Sequence, residues 1–113
     1  MSDRRLLEMA ARAEGRQPPY DAHGVFTAWV GDTENGHWWN PLDDDGDALR
    51  LAMTLDICIH LNREELTVIC QSWRPNGLFK IISGYTKDTD VRRCIVGVAA
   101  KIGAGKPDGW AKP

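Results

Sequence analysis

Residues 38–56, WWNPLDDDGDALRLAMTLD, decide the fold of this chain, because an aromatic pair, a turn and the start of an amphipathic helix follow one another without a break. The Asn40–Pro41 step disfavours helix at the Asn and opens a turn. Asp43, Asp44, Asp45 and Asp47 then supply N-cap oxygens and negative charge at a helix end that carries positive partial charge. Ala48, Leu49, Ala52, Met53 and Leu55 recur at helical spacing, which predicts one apolar face, and a β-rich run begins at Ile57. The acidic run does not read as a calcium loop. With Gly46 as the loop glycine, Pro41 stands where the first Asp ligand belongs and Ala52 where the final Glu belongs. The same carboxylates disfavour a phosphate at this helix start, since they compete for its free N–H groups.

Upstream, Ser2 or Asp3 caps a helix through about Glu14, with Leu6, Met9, Ala10 and Ala13 as its apolar stripe and Gly15 as its stop. Residues 15–24, with Pro18 and Pro19, read as a loose connector. Val25–Val30 is a predicted strand, 31–36 (GDTENG) a turn, and His37–Trp39 a short returning strand. Alternation along that strand sends Trp38 and Trp39 to opposite faces, one toward the core and one toward the surface.

Downstream, three runs, Ile57–Asn62, Leu66–Trp73 and Leu78–Tyr85, are joined by turns at 63–65 and 74–77, the second with Pro and Asn-Gly placed as in a hairpin. This predicts an antiparallel meander with apolar residues on both faces. A last helix runs from about Asp88 to Ile102, with Val91, Cys94, Ile95, Val98 and Ile102 on one side, Arg92, Arg93 and Lys101 toward solvent, and Gly103 as its end. The expected architecture is α+β: an antiparallel three- to four-stranded sheet sandwiched between helices, an α-β-α sandwich. Residues 1–103 form the single domain and 104–113 a C-terminal tail.

At 113 residues the chain has the size of one domain able to bury a modest core. No apolar run approaches the roughly 18 residues of a membrane helix, and the first fifteen residues lack the apolar segment of a secretory signal, so a cytoplasmic setting is expected. Cys58, Cys70 and Cys94 lack CxxC spacing and lie in apolar segments, which predicts buried reduced thiols; neither a metal nor a cofactor is expected. The net charge of −2 conceals an asymmetry: residues 1–65 carry 6 Lys/Arg against 13 Asp/Glu, and residues 66–113 carry 8 against 3. A net acidic chain without a recognition-helix motif is a poor binder of double-stranded DNA.

No catalytic constellation is legible. His23, His37 and His60 are scattered with no HExxH pair, and Gly103-x-Gly105-Lys106 follows a helix, without the strand, spacing and Ser/Thr of a phosphate loop. His60 shares a strand face with Cys58, but a locally hydrogen-bonded strand histidine is the simpler reading. The chain therefore reads as a binding protein rather than an enzyme. Of its five tryptophans, most belong to the core. Trp38, Trp39 and Trp73, with Arg74, Arg92 and Arg93, are the candidate binding residues, aromatic planes and guanidinium groups that suit a partner surface or a nucleotide.

WNPLDDDGDALRLAMTLDICI, followed by the meander and the closing helix DVRRCIVGVAAKIG, resembles small accessory proteins of tailed phages and prophages, the phage α-β-α sandwich domain type, similar to NinX proteins. The resemblance covers about residues 38 to 103. It implies a three-layer fold, a phage accessory gene acting in the bacterial host cytoplasm, and no established catalytic residues. The function this suggests is a non-enzymatic protein that antagonises a bacterial defence system by binding a host protein, as anti-CRISPR proteins do. One alternative is an oligomer that sequesters a nucleotide immune signal. Others are a phage assembly accessory, or a small nucleotide-acting enzyme using His60, Cys58 or the Asp cluster.

Overall fold

The computed structural model describes residues 2–73 and 77–105. Arg74, most of the 74–77 turn, and the tail from residue 106 onward, with Trp110, lie outside the described residues. The first helix, α1, spans Asp3–Glu14 as its caps dictate: the Ser2 hydroxyl accepts the Arg5 N–H, and Gly15 closes the helix in the left-handed region at φ 81°.

The 15–24 connector is tied down more than its composition suggests. Pro19 is buried, Tyr20 bridges Phe26, and the Thr27 N–H donates to the Pro19 carbonyl at 2.8 Å. The expected strand over Val25–Val30 shortens to β1, Trp29–Val30, which pairs with β2, His37–Trp38. Val25 is instead held in a turn, where the Asp21 carboxylate accepts the N–H groups of His23 and Val25.

Helix α2, Asp45–Thr54, begins after Asp44, whose carboxylate accepts the Asp47 N–H at 2.7 Å. Its buried face is Asp47, Ala48, Leu51 and Ala52, continued by Leu55, while Leu49 and Met53 face solvent. This corrects the expected apolar face. Leu51 is the anchor, and Leu49 and Met53, four residues apart on one stripe, lie around the helix from it.

The meander is present as β3 (Cys58–Asn62), β4 (Thr67–Ser72) and β5 (Phe79–Gly84), antiparallel and in that spatial order. Asn62 shapes the first hairpin by accepting the N–H groups of Glu64 and Glu65, and Leu66 completes it at φ 52°. Register places Ile59 beside Cys70 and Cys70 beside Ile81, so these three share the inner face with Val68, Ser72 and Phe79. Cys58, His60, Gln71 and Lys80 alternate to the other face. Cys58 is therefore exposed, unlike Cys70 and Cys94, and the expectation of three buried thiols is corrected for it by strand alternation alone.

The last helix, α3, spans Asp88–Ala104. Every residue from Cys94 to Ala100 is buried, so the helix has no solvent side along its middle. It lies between two layers. One side packs on β4 and β5, where the Cys94 thiol donates to the Ile81 carbonyl at 3.4 Å. The other side packs on α1, and α2 flanks the same helix. The α+β class and its antiparallel sheet are thus as expected, with α3 occupying the middle of the stack. Gly103 does not end the helix but lies buried within it, against the backbone of Met9 and Ala13 on α1.

That crossing yields a prediction. A Cβ at position 103 would collide with the Met9 carbonyl, which is backbone and cannot turn aside, whereas one at Gly97 would meet only the Cδ1 end of Ile81. Gly103→Ala is expected to cost about 3 kcal/mol or more, and Gly97→Ala about 1 to 2 kcal/mol, in chemical denaturation. Equal losses would show that α1 and α3 are not in close backbone contact.

Candidate functional site

Four aromatic rings form a continuous surface ladder between the connector and the β1–β2 hairpin. Tyr20 and Phe26 have centroids 5.2 Å apart, Phe26 and Trp38 5.8 Å, and Trp38 meets Trp29 edge-on at 5.0 Å. Such tilted and edge-to-face pairs are favourable beyond the area they bury, so the ladder is stiff as well as apolar. Trp29 is fixed further by its indole N–H, which donates to the Asp32 carbonyl at 2.9 Å, and the Arg4 guanidinium lies 4.8 Å from the Tyr20 ring centre. Trp38 remains 54% exposed, and Val25 and Trp29 are exposed beside it.

Carboxylates flank the rings. Asp21 and Asp32 each cap a turn, and Asp32 is held below its ordinary pKa of 3.8 by the N–H groups of Asn35 and Glu34. Asp32 is therefore ionised at neutral pH. Aromatic planes in an acidic rim favour a partner surface that is itself apolar and basic.

Of the six residues expected to bind, the five described ones are not brought together. Trp38 belongs to the ladder, but Trp39 is only 1% exposed and anchors the core, with Arg16 stacked 5.2 Å from its ring centre. The alternation argument for this pair therefore holds. Trp73 is 67% exposed at the end of β4, on the meander rather than beside the ladder. Arg92 donates to Asp45 at 2.6 Å, to the Leu42 carbonyl at 2.8 Å and to Thr89, and so ties α3 to the start of α2. Arg93 pairs with Asp3 at 3.0 Å, tying α3 to α1. The two guanidinium groups thus point to different neighbours, and Arg92 is mostly buried rather than directed to solvent. Arg74 lies outside the described residues. Cys58 and His60 share the exposed sheet face, and no hydrogen bond joins them.

One polar constellation escaped the sequence reading. Asp47, 1% exposed, receives three donors: the Asn40 N–H at 2.9 Å, Arg50 Nη2 at 2.8 Å and His37 Nε2 at 2.9 Å. An ionised carboxylate only accepts, so the proton lies on Nε2 of His37. Burial works to raise the Asp47 pKa, but the hydrogen bonds from His37, Asn40 and Arg50 outweigh it and hold the group below 3.8. Its legible signal was an acidic residue on the Leu51 face of α2, because a charge on a buried stripe demands partners.

The imidazole–carboxylate pair has the form of a general base and its orienting group, but no Ser, Thr or Cys side chain bonds His37 among the described residues. His37, Asp44 and Asp47 offer ligand atoms within 4.8 Å of one another. Arg50 and backbone donors already occupy those carboxylates, so a cation would have to displace the guanidinium. The constellation is best understood as a clamp holding β2 to α2. No family model, curated protein or solved structure matches the chain. Fold and site together define a small α+β domain that displays a rigid aromatic surface.

The clamp has a pH signature. A carboxylate whose folded pKa is depressed contributes stability above its unfolded value and loses it as the pH falls through the folded one. Asp47→Asn should therefore lower the unfolding free energy by about 2 kcal/mol at pH 7, with the gap to the parent narrowing below pH 3.8. A gap constant from pH 7 to pH 2 would mean that the carboxylate charge plays no part.

Proposed function

We propose that the protein works by binding another protein through the Tyr20–Phe26–Trp38–Trp29 ladder, as a phage-encoded antagonist of a bacterial defence system. The observation that carries the binding reading is the exposure of Trp38 and Trp29 in a fixed edge-to-face pair. Large aromatics held in place lose little freedom on association and dominate the energetics of interfaces. The acidic balance of residues 1–65 adds long-range attraction for a basic partner and raises the encounter rate. The phage setting rests on the resemblance of residues 38–103, and the bacterial cytoplasm is the compartment in which such an antagonist acts.

The nucleotide-sequestering alternative is less well supported, since Arg92 and Arg93, two of the basic groups it would use, are engaged in ion pairs that bind helices together.

Two experiments separate the parts of this reading. A photo-crosslinking amino acid at position 38 is expected to capture one host protein reproducibly, and Trp38→Ala to weaken that complex at least tenfold, about 1.4 kcal/mol or more, with a nearly unchanged thermal midpoint. In bacteria carrying a defence system that captured protein belongs to, expression should restore plaques of a sensitive phage, and Trp38→Ala should abolish the rescue while Trp73→Ala keeps it. Loss with Trp73→Ala alone moves the binding surface to the meander. Capture of nothing at position 38 rejects the ladder as an interface, and capture without rescue rejects the anti-defence role.

A further inference from the structure

Behind the ladder, where the end of α1 passes the β1–β2 hairpin, lies a cleft of about 380 Å³ walled by Arg16, Gln17, Pro18, Thr27, Ala28, Trp29 and Trp39. Its size falls at the lower end of small-molecule sites, which run from about 300 to 1,000 Å³. Two indoles and a proline ring give it flat apolar panels, and Arg16, Gln17 and Thr27 supply a polar lining of similar extent. The indoles are also fixed in advance: the Trp29 N–H is bonded to Asp32, and Trp39 is buried with its backbone N–H on the Ala28 carbonyl at 2.9 Å. A flat guest would not have to order these rings.

The polar content of the cleft is the Gln17 amide and the Thr27 hydroxyl, which can donate or accept, and the Arg16 guanidinium, which only donates. Arg16 gives its Nε to Glu14 at 2.6 Å, and its two terminal amino groups have no hydrogen-bond partner among the described residues. The indole N–H of Trp39 is likewise unpartnered, but it is sealed from solvent and is not offered to the cleft. The one orphan acceptor nearby, Oε2 of Glu14, belongs to a side chain that does not line the cleft. The one charged group of the wall only donates, so a guest gains most by bringing an acceptor to it. The free edge of a guanidinium matches a carboxylate, which can accept two parallel N–H bonds from it.

Charge sets the limit. Arg16 is the single cation of the wall and is already half-compensated by Glu14, so the site suits one negative charge better than the nearly two of a phosphate monoester. We propose that this cleft is a binding site for a planar aromatic carboxylate of one or two rings, with the carboxylate on the terminal nitrogens of Arg16 and the ring plane against Trp29 and Pro18. The site adjoins the protein-binding ladder and shares Trp29 with it, but its proposed ligand contacts do not involve Trp38. For a guest of about a dozen heavy atoms, a dissociation constant on the order of 100 µM is expected.

The test is titration of the full chain with 2-naphthoate, 2-naphthylmethanol and adenosine monophosphate, followed by the indole N–H resonances of the tryptophans and by calorimetry. 2-Naphthoate is expected to shift the Trp29 and Trp39 resonances and to bind at least tenfold more tightly than the other two. Arg16→Gln should remove that advantage while leaving the weak binding of 2-naphthylmethanol unchanged. Arg16→Lys, which keeps the charge but not the fork, should retain only part of it. Equal affinity for the alcohol would overturn the role of Arg16, tighter binding of the nucleotide would overturn the ligand class, and no shift at millimolar 2-naphthoate would overturn the site. If Arg16→Gln does not fold, the comparison of acid and alcohol on the parent protein decides the matter alone. None of these outcomes depends on Trp38 or on any protein partner.

Discussion

The arrangement depends on burying helix α3 from two sides at once. A helix with no solvent side between Cys94 and Ala100 cannot rest on a sheet alone, so α1 must cover what the meander does not. Small residues make this feasible. Ala99, Ala100 and Gly103 on α3, with Ala10, Ala11 and Ala13 on α1, are all buried, and the glycine brings the two backbones within van der Waals reach. Long side chains at these positions would hold the helices apart and open voids across the whole layer. Polar ties then fix the angle, Arg93 to Asp3 at one end of α3 and Arg92 to Asp45 toward α2.

The aromatic surface is a by-product of the same constraint. With three helices and the meander committed to the core, the connector and the short hairpin have little left to bury. Only Trp39, Pro19 and Pro41 from that region go fully inside, and the remaining rings pack on each other. Asp47 supplies the hinge between the two parts, because its carboxylate bonds to β2 through His37, to the following turn through Asn40 and to its own helix through Arg50. One buried charge thereby sets where the ladder sits relative to the core.

Much of this was legible in the residues, and the limits have physical reasons. Caps and periodicity located α1, α2 and α3 because Ser2, Asp44 and Gly15 act locally, within one turn of chain. Alternation separated Trp38 from Trp39 for the same reason. The face of α2 was misread because Leu49 and Met53 are as apolar as Leu51, and only tertiary contact chooses among them. The roles of Arg92 and Arg93 depend on Asp45 and Asp3, 47 and 90 residues away in the chain, a separation no local pattern reports. The ladder is half visible in the sequence, since Trp38 reads as a binding residue while Tyr20, Phe26 and Trp29 sit in segments whose composition reads as a loose connector and a plain strand. The Asp47 clamp needed a single inference, that a carboxylate on an apolar stripe has donors waiting for it.

The thiols carry a practical consequence. Cys70 and Cys94 lie together beneath the sheet, and the Cys70 pKa is pushed up by its hydrogen bond with Cys94 and by burial, so it stays protonated and unreactive in the folded chain. Cys58 alone is open to reagents. The folded protein should therefore count as a one-thiol molecule and the unfolded one as a three-thiol molecule, which makes alkylation stoichiometry an internal gauge of how often the sheet and α3 come apart.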